Sequence, residues 1–391
     1  MREQYDLIII GGGAAGLSAA VSYARACRGR VVILDGNAAA GKKITTTGNG
    51  RCNLTNVAAA GYEDTKKFFE SLGIVLSMGE EGRIYPLNRQ ASSVRDALVR
   101  ETVRYGISVR TSTKALSLRS DNSGFTVQTE SAGDFFAPSL VIATGGKACP
   151  QYGNLGEGYV FARKLGHEIR TIQPALVPMV YAETMTQALA PLKGVRAHVQ
   201  VKLLNGGRAF AAEAGEIQFT EYGLSGICIF DLSRFLRRGE KRVGSAEFTV
   251  VIDFTPELTT ENLEELLLKN TVAGLGGIVN RKIAELFESL LQLKEPPAFS
   301  DRETARRAAV LVKNFEVPVS GTKGWKEAQI TSGGVSLKEI NPDTFESLLI
   351  SGLYFAGEVL DYDGPCGGYN LDFAWNSGMR AGKAAAYAFT R

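Results

Sequence analysis

The 391-residue sequence predicts an α/β chain whose mostly parallel sheet is interrupted by an antiparallel β domain and a small helical domain. Three observations carry this reading. Apolar runs without polar alternation, the mark of strands buried on both faces, occur near both ends of the chain. Strict apolar–polar alternation begins only after about residue 190. A helical spacing of leucines takes over from Thr255.

Taken in order, residues 5–10 (YDLIII) read as a first buried strand, 11–16 as a glycine turn, 17–27 as a helix and 30–35 (RVVILD) as a second buried strand. Residues 41–56 are a loop rich in Gly, Thr and Asn. A helical stretch over 64–72 precedes a loop carrying Tyr85-Pro86. Val94, Ala97, Leu98 and Val103 mark one face of a helix over 92–105. Strands are expected at 107–110, 125–130 and 140–143, the last running into Thr144-Gly145-Gly146. Beyond residue 190, alternation over 198–211 around Asn205-Gly206 signals a hairpin, and Ile217, Phe219 and residues 247–254 continue the β pattern. Leu263, Leu266 and Leu267 share a helix face, as do Ile283, Leu286, Phe287, Leu290 and Leu291. Ser300 and Glu303 fit a capping box, and the helical segment closes near Phe315. Residues 352–355 (GLYF) return to a buried strand, followed by Gly357-Glu358 and a last helix from about Asn370. The expected division is 1–188 with 326–391 as the nucleotide-binding domain, 189–255 with 316–325 as the β domain, and 256–315 as the helical domain.

Composition narrows the class. Hydrophobic residues make up 45% and charged residues 22%, with a formal net charge of +3, as in ordinary globular proteins. Five cysteines, an odd number without a CxxC pair, and two histidines argue against a disulfide framework and against a metal site. No apolar run approaches the roughly 20 residues that span a bilayer. The N-terminus enters a strand directly with no signal-peptide pattern, no membrane partner is expected, and the scattered cysteines make the reducing cytoplasm the expected location.

The chemistry concentrates in glycine turns. Gly11-x-Gly13-x-x-Gly16 follows a buried strand, opens a helix and is followed by Asp35 at the end of the next strand, the Rossmann dinucleotide fingerprint. Gly11 permits the tight turn, Gly13 lets backbone reach a pyrophosphate, and Gly16 lets helix pack on strand. The helix N-terminus offers free N–H groups to phosphate, and Asp35 accepts from a ribose. Two later turns separate FAD from NAD. Thr144-Gly145-Gly146 and Gly357-Glu358 each end a strand with small residues where backbone must meet a ligand, as in flavoproteins of the two-dinucleotide-fold type.

The loop Gly41-Lys42-Lys43 through Gly48-x-Gly50-Arg51-Cys52-Asn53-x-Thr55-Asn56 resembles the GKK…GxGRCNxTN signature of a three-domain bacterial flavoprotein family. Its members include a reductase of unsaturated 3-oxo bile acids, a ribosomal RNA dihydrouridine synthase and an aminoacetone oxidase. The resemblance continues through Ala143–Lys147 (ATGGK), Phe219-Thr220 with Gly223–Gly226, residues 331–335 (TSGGV), 357–361 (GEVLD) and 367–371 (GGYNL). It implies an FAD domain, holding the cofactor non-covalently, interrupted by a β and a helical domain. The expected cofactor-binding residues are Gly11, Gly13, Ala14, Ala15, Gly16, Asp35, Gly36, Lys42, Lys43, Gly50, Arg51, Cys52, Asn53, Thr144, Gly145, Gly146, Gly334, Gly357, Glu358, Gly368, Tyr369, Asn370 and Leu371. Gly333-Gly334 and Gly367-Gly368 would let backbone lie against the flavin ring, and the helix from Asn370 would aim its N-terminus at the flavin. Cys52, without a resolving partner, reads as structural rather than redox-active. Two departures stand out: Asp35 where Glu is usual, and Asp372 where Gln is expected, a change that matters if that side chain meets flavin or substrate.

The resemblance leaves three reactions open. A 3-oxo-Δ4 steroid and a uracil ring each present a C=C conjugated to a carbonyl, which points to an NAD(P)H-linked ene-reductase acting on a small molecule, with Tyr222, Cys366 and Tyr369 as candidate proton donors. The alternatives are uridine reduction in ribosomal RNA and O2-dependent amine oxidation. His167 reads as a helix-exit residue and His198 as a surface position on a hairpin strand. The basic cluster Arg234, Arg237, Arg238, Lys241 and Arg242 reads as a solvated loop before it reads as an RNA contact. Oligomeric state is not encoded in any motif.

Overall fold

The computed structural model describes residues 2–153, 155–236, 248–269, 272–293, 299 and 301–390. They form two compact units, Met1–Gln173 with Gln329–Arg391, and Pro174–Ala328.

The first unit is built on a five-stranded parallel sheet, in the order Leu353–Phe355, Ser139–Ile142, Leu7–Ile10, Val31–Leu34, Ser108–Arg110. Every side chain of Leu7–Ile10, Val31–Leu34 and Ser139–Ile142 is buried. Runs such as LIII and VVIL therefore lack alternation because both faces of these strands are covered. Helix Ala14–Ala26 joins the first two strands of the pair Leu7–Ile10 and Val31–Leu34. The 21-residue C-terminal helix Tyr369–Phe389 lies against it at backbone distance. A Cβ on Gly378 would stand 2.2 Å from the Ala15 carbonyl oxygen, and one on Gly382 2.0 Å from that of Ala19. Trp375 anchors the same helix, donating from Nε1 to the Leu54 carbonyl at 3.0 Å and meeting Phe69 edge-on at 5.0 Å. Truncating so enclosed an aromatic costs about 3–5 kcal/mol. Residues 125–130, expected as a strand, contribute Gly124–Thr129 to a separate sheet with Ala115–Asp121, Asp134–Ala137 and Glu3–Gln4. A third, small sheet pairs Arg83–Pro86 with Thr55–Asn56 and Leu76–Met78.

The second unit is a closed barrel of six strands: Met179–Tyr181, Gly223–Ser225, Arg208–Phe219, Arg196–Asn205, Phe248–Asp253 and Phe315–Thr322. Its hairpin turns one residue later than expected. Asn205 pairs with Arg208, so the two-residue loop is Gly206-Gly207, with φ of 56° and 78°. Positive φ at both positions is what a type I′ turn requires, and a Gly-Gly pair meets it at less steric cost than Asn-Gly.

Helices Thr260–Lys269, Arg281–Leu290 and Arg302–Lys313 share one core with the barrel. The rings of Phe254, Phe287 and Phe315 meet at 4.9–6.3 Å. The β and helical segments sit together in one compact unit, Pro174–Ala328. Leu263 and Leu267 are buried, but Leu266 and Leu290 are exposed, so each helix uses a narrower face than its leucines suggest. Asp301 caps the last of these helices, accepting from Thr304 N–H at 2.8 Å; Ser300 lies outside the described residues, as do Arg237, Arg238, Lys241 and Arg242.

Candidate active site

The parallel sheet sets the geometry. Its strands all end on one edge, so Gly11–Gly16, Asp35, Thr144–Gly146 and Gly357-Glu358 are delivered there together. Gly11 has φ of 108°, and a Cβ on it would lie 2.3 Å from the Ala143 carbonyl oxygen. On Gly16 a Cβ would lie 1.8 Å from the Gly11 oxygen. On Gly13 it would meet nothing within 4 Å. The outer two glycines are thus small for packing and the middle one opens a cradle. Above Gly13 stands the N-terminus of helix Ala14–Ala26, without a side-chain cap, so its first N–H groups face that opening.

Asp35 is buried and holds this turn in shape. One carboxylate oxygen accepts from Gly12 N–H at 3.0 Å and the other from Asn37 N–H at 2.8 Å. Gly36 is exposed beside it.

The second and third glycine turns meet across Glu358. Its Oε2 pairs with Lys43 Nζ at 2.9 Å and its Oε1 accepts from Thr331 N–H at 2.7 Å. Thr331 Oγ1 accepts from Lys147 and Ala148 N–H at 2.7 and 3.0 Å. A Cβ on Gly146 would run into both Thr331 and Glu358. Gly357, at φ of 76°, abuts Ala15 of the first helix and donates its N–H to Ser377 Oγ at 2.9 Å. Glu358 therefore holds the loops together through both carboxylate oxygens. Gly334, at φ of 138°, is pressed against the backbone of Val359 and Leu360, which accounts for its missing side chain.

The Lys42-to-Asn56 loop brings its polar groups to different places. Lys42, Gly50 and Arg51 are exposed, and the Arg51 guanidinium lies over Tyr85, 5.4 Å from the ring centroid. Cys52 has no exposed surface, and burial pushes its thiol up to about 12. Its side chain therefore reaches no surface, and it carries negligible thiolate at neutral pH. Asn53 is half-buried, with Oδ1 buried and unpartnered, 3.0 Å from where a Cβ on Gly368 would stand.

Gly368, at φ of 104°, starts the C-terminal helix, again with no side-chain cap. Tyr369, Asn370, Leu371 and Cys366 are half-exposed around this second helix N-terminus. Asn370 binds the preceding turn, accepting from Gly364 N–H at 2.8 Å and donating to Gly364 O at 2.9 Å. Asp372 is buried and accepts from Thr55 Oγ1 and Thr65 Oγ1, both at 2.7 Å, and from Gly61 N–H at 3.0 Å. Burial raises its pKa, and these three donors oppose the rise without cancelling it. An acid where Gln was expected thus staples the helix to Thr55, Gly61 and Thr65.

Tyr222 belongs to the second unit, in the turn between two barrel strands, with Lys323 Nζ 4.1 Å from its ring centroid. His167 is buried, 2.8 Å from Ser347 Oγ through Nε2 and edge-on to Phe355 at 4.8 Å. The sequence reading missed Thr331 as a hub, Arg83 and Asn56 beside Gly367, and Gly378 with Gly382. The last pair was findable, because two glycines four apart on a helix mark a backbone-close face.

These features fit FAD: two uncapped helix N-termini, an open cradle at Gly13 for a pyrophosphate, and a buried carboxylate where a ribose is expected. Among the described residues no group of three or more His, Cys, Asp or Glu is placed to hold a metal ion, and no helix is long and apolar enough to cross a membrane.

Comparison with known proteins agrees. The chain is 35% identical to a 3-dehydro-bile acid delta(4,6)-reductase of Clostridium scindens, over 97% of this chain and 98% of that protein. It is 30% identical to a ribosomal RNA dihydrouridine synthase of Escherichia coli, over 96% of each. Among solved structures, a 3-ketosteroid delta1-dehydrogenase of Sterolibacterium denitrificans shares the fold with a TM-score of 0.53 at 11% identity, covering 99% of this chain and 100% of that one. An open flavocytochrome c3 fumarate reductase does so with a TM-score of 0.51 at 17% identity, covering 100% and 79%. Residues 58–384 match the HI0933-like protein Rossmann domain, and with the fold and the cradle this places the chain in the HI0933-like family, as an FAD-dependent oxidoreductase.

Proposed function

We propose that the protein reduces a C=C bond conjugated to a carbonyl in a small 3-oxo steroid-like molecule, with NAD(P)H as electron source. The observation that carries this reading is the full-length similarity to the bile-acid reductase. When bound, FAD supplies the hydride that the β-carbon of such a substrate takes up. The chain's own residues do the rest. The N-terminus of helix Ala14–Ala26 and the Gly13 cradle hold the pyrophosphate, and Asp35 orients the adenosine ribose. Glu358, Lys43 and Thr331 keep the surrounding loops in register. The uncapped start of the C-terminal helix offers a positive dipole end that would stabilise negative charge on a flavin bound against it. The α-carbon needs a proton, for which Tyr369 and Cys366, half-exposed at that helix start, are the candidates. One dinucleotide fingerprint serves the flavin, so the nicotinamide docks transiently.

The 30% identity to a dihydrouridine synthase favours a second reading in which a uridine C5=C6 bond is the target. Anaerobic titration of the purified flavoprotein separates the readings. Bleaching of the flavin by NADH or NADPH, followed by reoxidation with an unsaturated 3-oxo steroid, is the expected result. Reoxidation by a ribosomal RNA fragment alone would favour the uridine reading. Flavin inert to both nicotinamides but reduced by a small amine, with peroxide formed in air, would replace both with an amine oxidase.

A further inference from the structure

Arg83 is absent from every motif above, yet the fold carries it to the turn that starts the C-terminal helix. The point where a Cβ on Gly367 would stand is 3.7 Å from Arg83 Nε, 3.6 Å from Asn56 Nδ2 and 3.6 Å from the Tyr369 ring. The arrangement is built rather than incidental. Asn56 Nδ2 donates both to the Glu81 carbonyl at 2.9 Å and to the Gly367 carbonyl at 3.2 Å, tying the turn before Arg83 to the turn before Tyr369. Glu81 holds a left-handed backbone, φ 53°, and Gly82 follows at 71°. A non-glycine residue in that region costs on the order of 1 kcal/mol and persists where the surroundings impose it.

The electrostatics are asymmetric. Arg83 pairs with Glu81, but the arginine side chain is 19% exposed and its partner 69% exposed. So exposed a carboxylate gains little from the pair and yields readily to another acceptor. The guanidinium, by contrast, is mostly enclosed and offers a planar set of donors to a carbonyl or carboxylate oxygen.

We propose that Arg83 is the anchor for the substrate's carbonyl oxygen. This rests on the reading of the enzyme as a reducer of conjugated C=C bonds. A guanidinium donating to that oxygen withdraws electrons from the β-carbon and holds the negative charge that builds on oxygen as hydride arrives there. Once a proton reaches the α-carbon, the carbonyl is restored. The two electrons come from NAD(P)H, and Arg83 leaves the cycle unchanged. A 3-oxo steroid and a uracil ring both present such an oxygen, so the assignment serves either substrate.

The test uses the FAD-loaded protein with three variants, Arg83→Met, Arg83→Lys and Glu81→Gln. Arg83→Met should keep its FAD content and its bleaching by nicotinamide. Its kcat/KM for the conjugated substrate should fall by about 100-fold, as when an oxyanion donor is removed. Its binding of the saturated 3-oxo product, read from the flavin difference spectrum without turnover, should weaken about tenfold or more. Arg83→Lys should recover part of both losses. Glu81→Gln, which frees the guanidinium at an exposed position, should lower KM by up to about fivefold. An Arg83→Met protein with wild-type kcat/KM and wild-type product binding overturns the assignment while leaving the proposed reaction standing. A wild-type protein that reduces no conjugated carbonyl compound overturns both. Should Arg83→Met fail to fold, Arg83→Lys with unchanged kcat and Glu81→Gln with unchanged KM would together overturn it.

Discussion

Two glycine turns of this chain follow a strand and look alike in sequence, yet they obey different physics. Gly11–Gly16 in the first unit is crowded. Its outer glycines would bring a Cβ within 2.3 and 1.8 Å of backbone oxygen, and only the middle one faces open space. At Gly206-Gly207 in the barrel, a Cβ on either residue meets nothing within 4 Å, and what both share is positive φ. A glycine can be required by a neighbour, by a ligand or by its own dihedral angle. The first turn uses the first two reasons and the second turn uses the third.

The largest effect should come from Gly16→Ala. With 1.8 Å to the Gly11 oxygen, helix and turn must separate, at a cost of about 3 kcal/mol or more. Urea unfolding should show it as a lower midpoint, and the protein should purify without flavin. A fully stable, FAD-loaded Gly16→Ala protein would show that the helix rides on the turn less tightly than its geometry states.

This contrast explains how much could be read from the sequence. The FAD domain was legible because its chemistry lies in backbone geometry, and backbone demands glycine at fixed spacings. The barrel was legible only as alternation. Its closure depends on pairing Met179–Tyr181 with Phe315–Thr322, two segments far apart in sequence with no local signal. The Glu358 hub stayed hidden for the same reason: Lys43 and Thr331 reach it from two different loops. The staple at Asp372 was equally out of reach, because its three donors come from Thr55, Gly61 and Thr65, over 300 residues away in sequence. Leu266 and Leu290 misled because spacing shows which side chains share a face, not how wide a face the core covers.

Gly13→Val sharpens the comparison next. Gly13 has ordinary negative φ, −84°, and open space around it, so stability without flavin should stay within about 0.5 kcal/mol. The added side chain should instead occupy the pyrophosphate cradle and raise the Kd for FAD by about 100-fold, measured by quenching of flavin fluorescence. A variant that loses stability but keeps its flavin would reverse the roles given to Gly13 and Gly16.

The two histidines extend the contrast to pH. His167 in the first unit is buried, and burial lowers its pKa; His198 lies exposed on a barrel strand. A lowered folded pKa means that the unfolded chain takes up the proton first. Stability is then complete above about pH 6.5 and is lost as pH falls below it, by up to about 1.4 kcal/mol per pH unit. Unfolding followed by Trp375 fluorescence, in a Trp325→Phe background, should show this slope in the wild type. His167→Gln should flatten it and His198→Gln should not.

Gly206→Asn should give the smallest effect. Asn tolerates left-handed φ, and position 206 has no neighbour for its side chain, so a change within about 0.5 kcal/mol is expected. Gly207→Val makes the informative partner. It imposes a β-branched residue at φ of 78° with equally open space around it, and the cost should be about 1–2 kcal/mol. If the two variants cost the same, the turn is not governed by φ. A cost for Gly207→Val with FAD affinity unchanged would confine the barrel's glycine requirement to its own backbone.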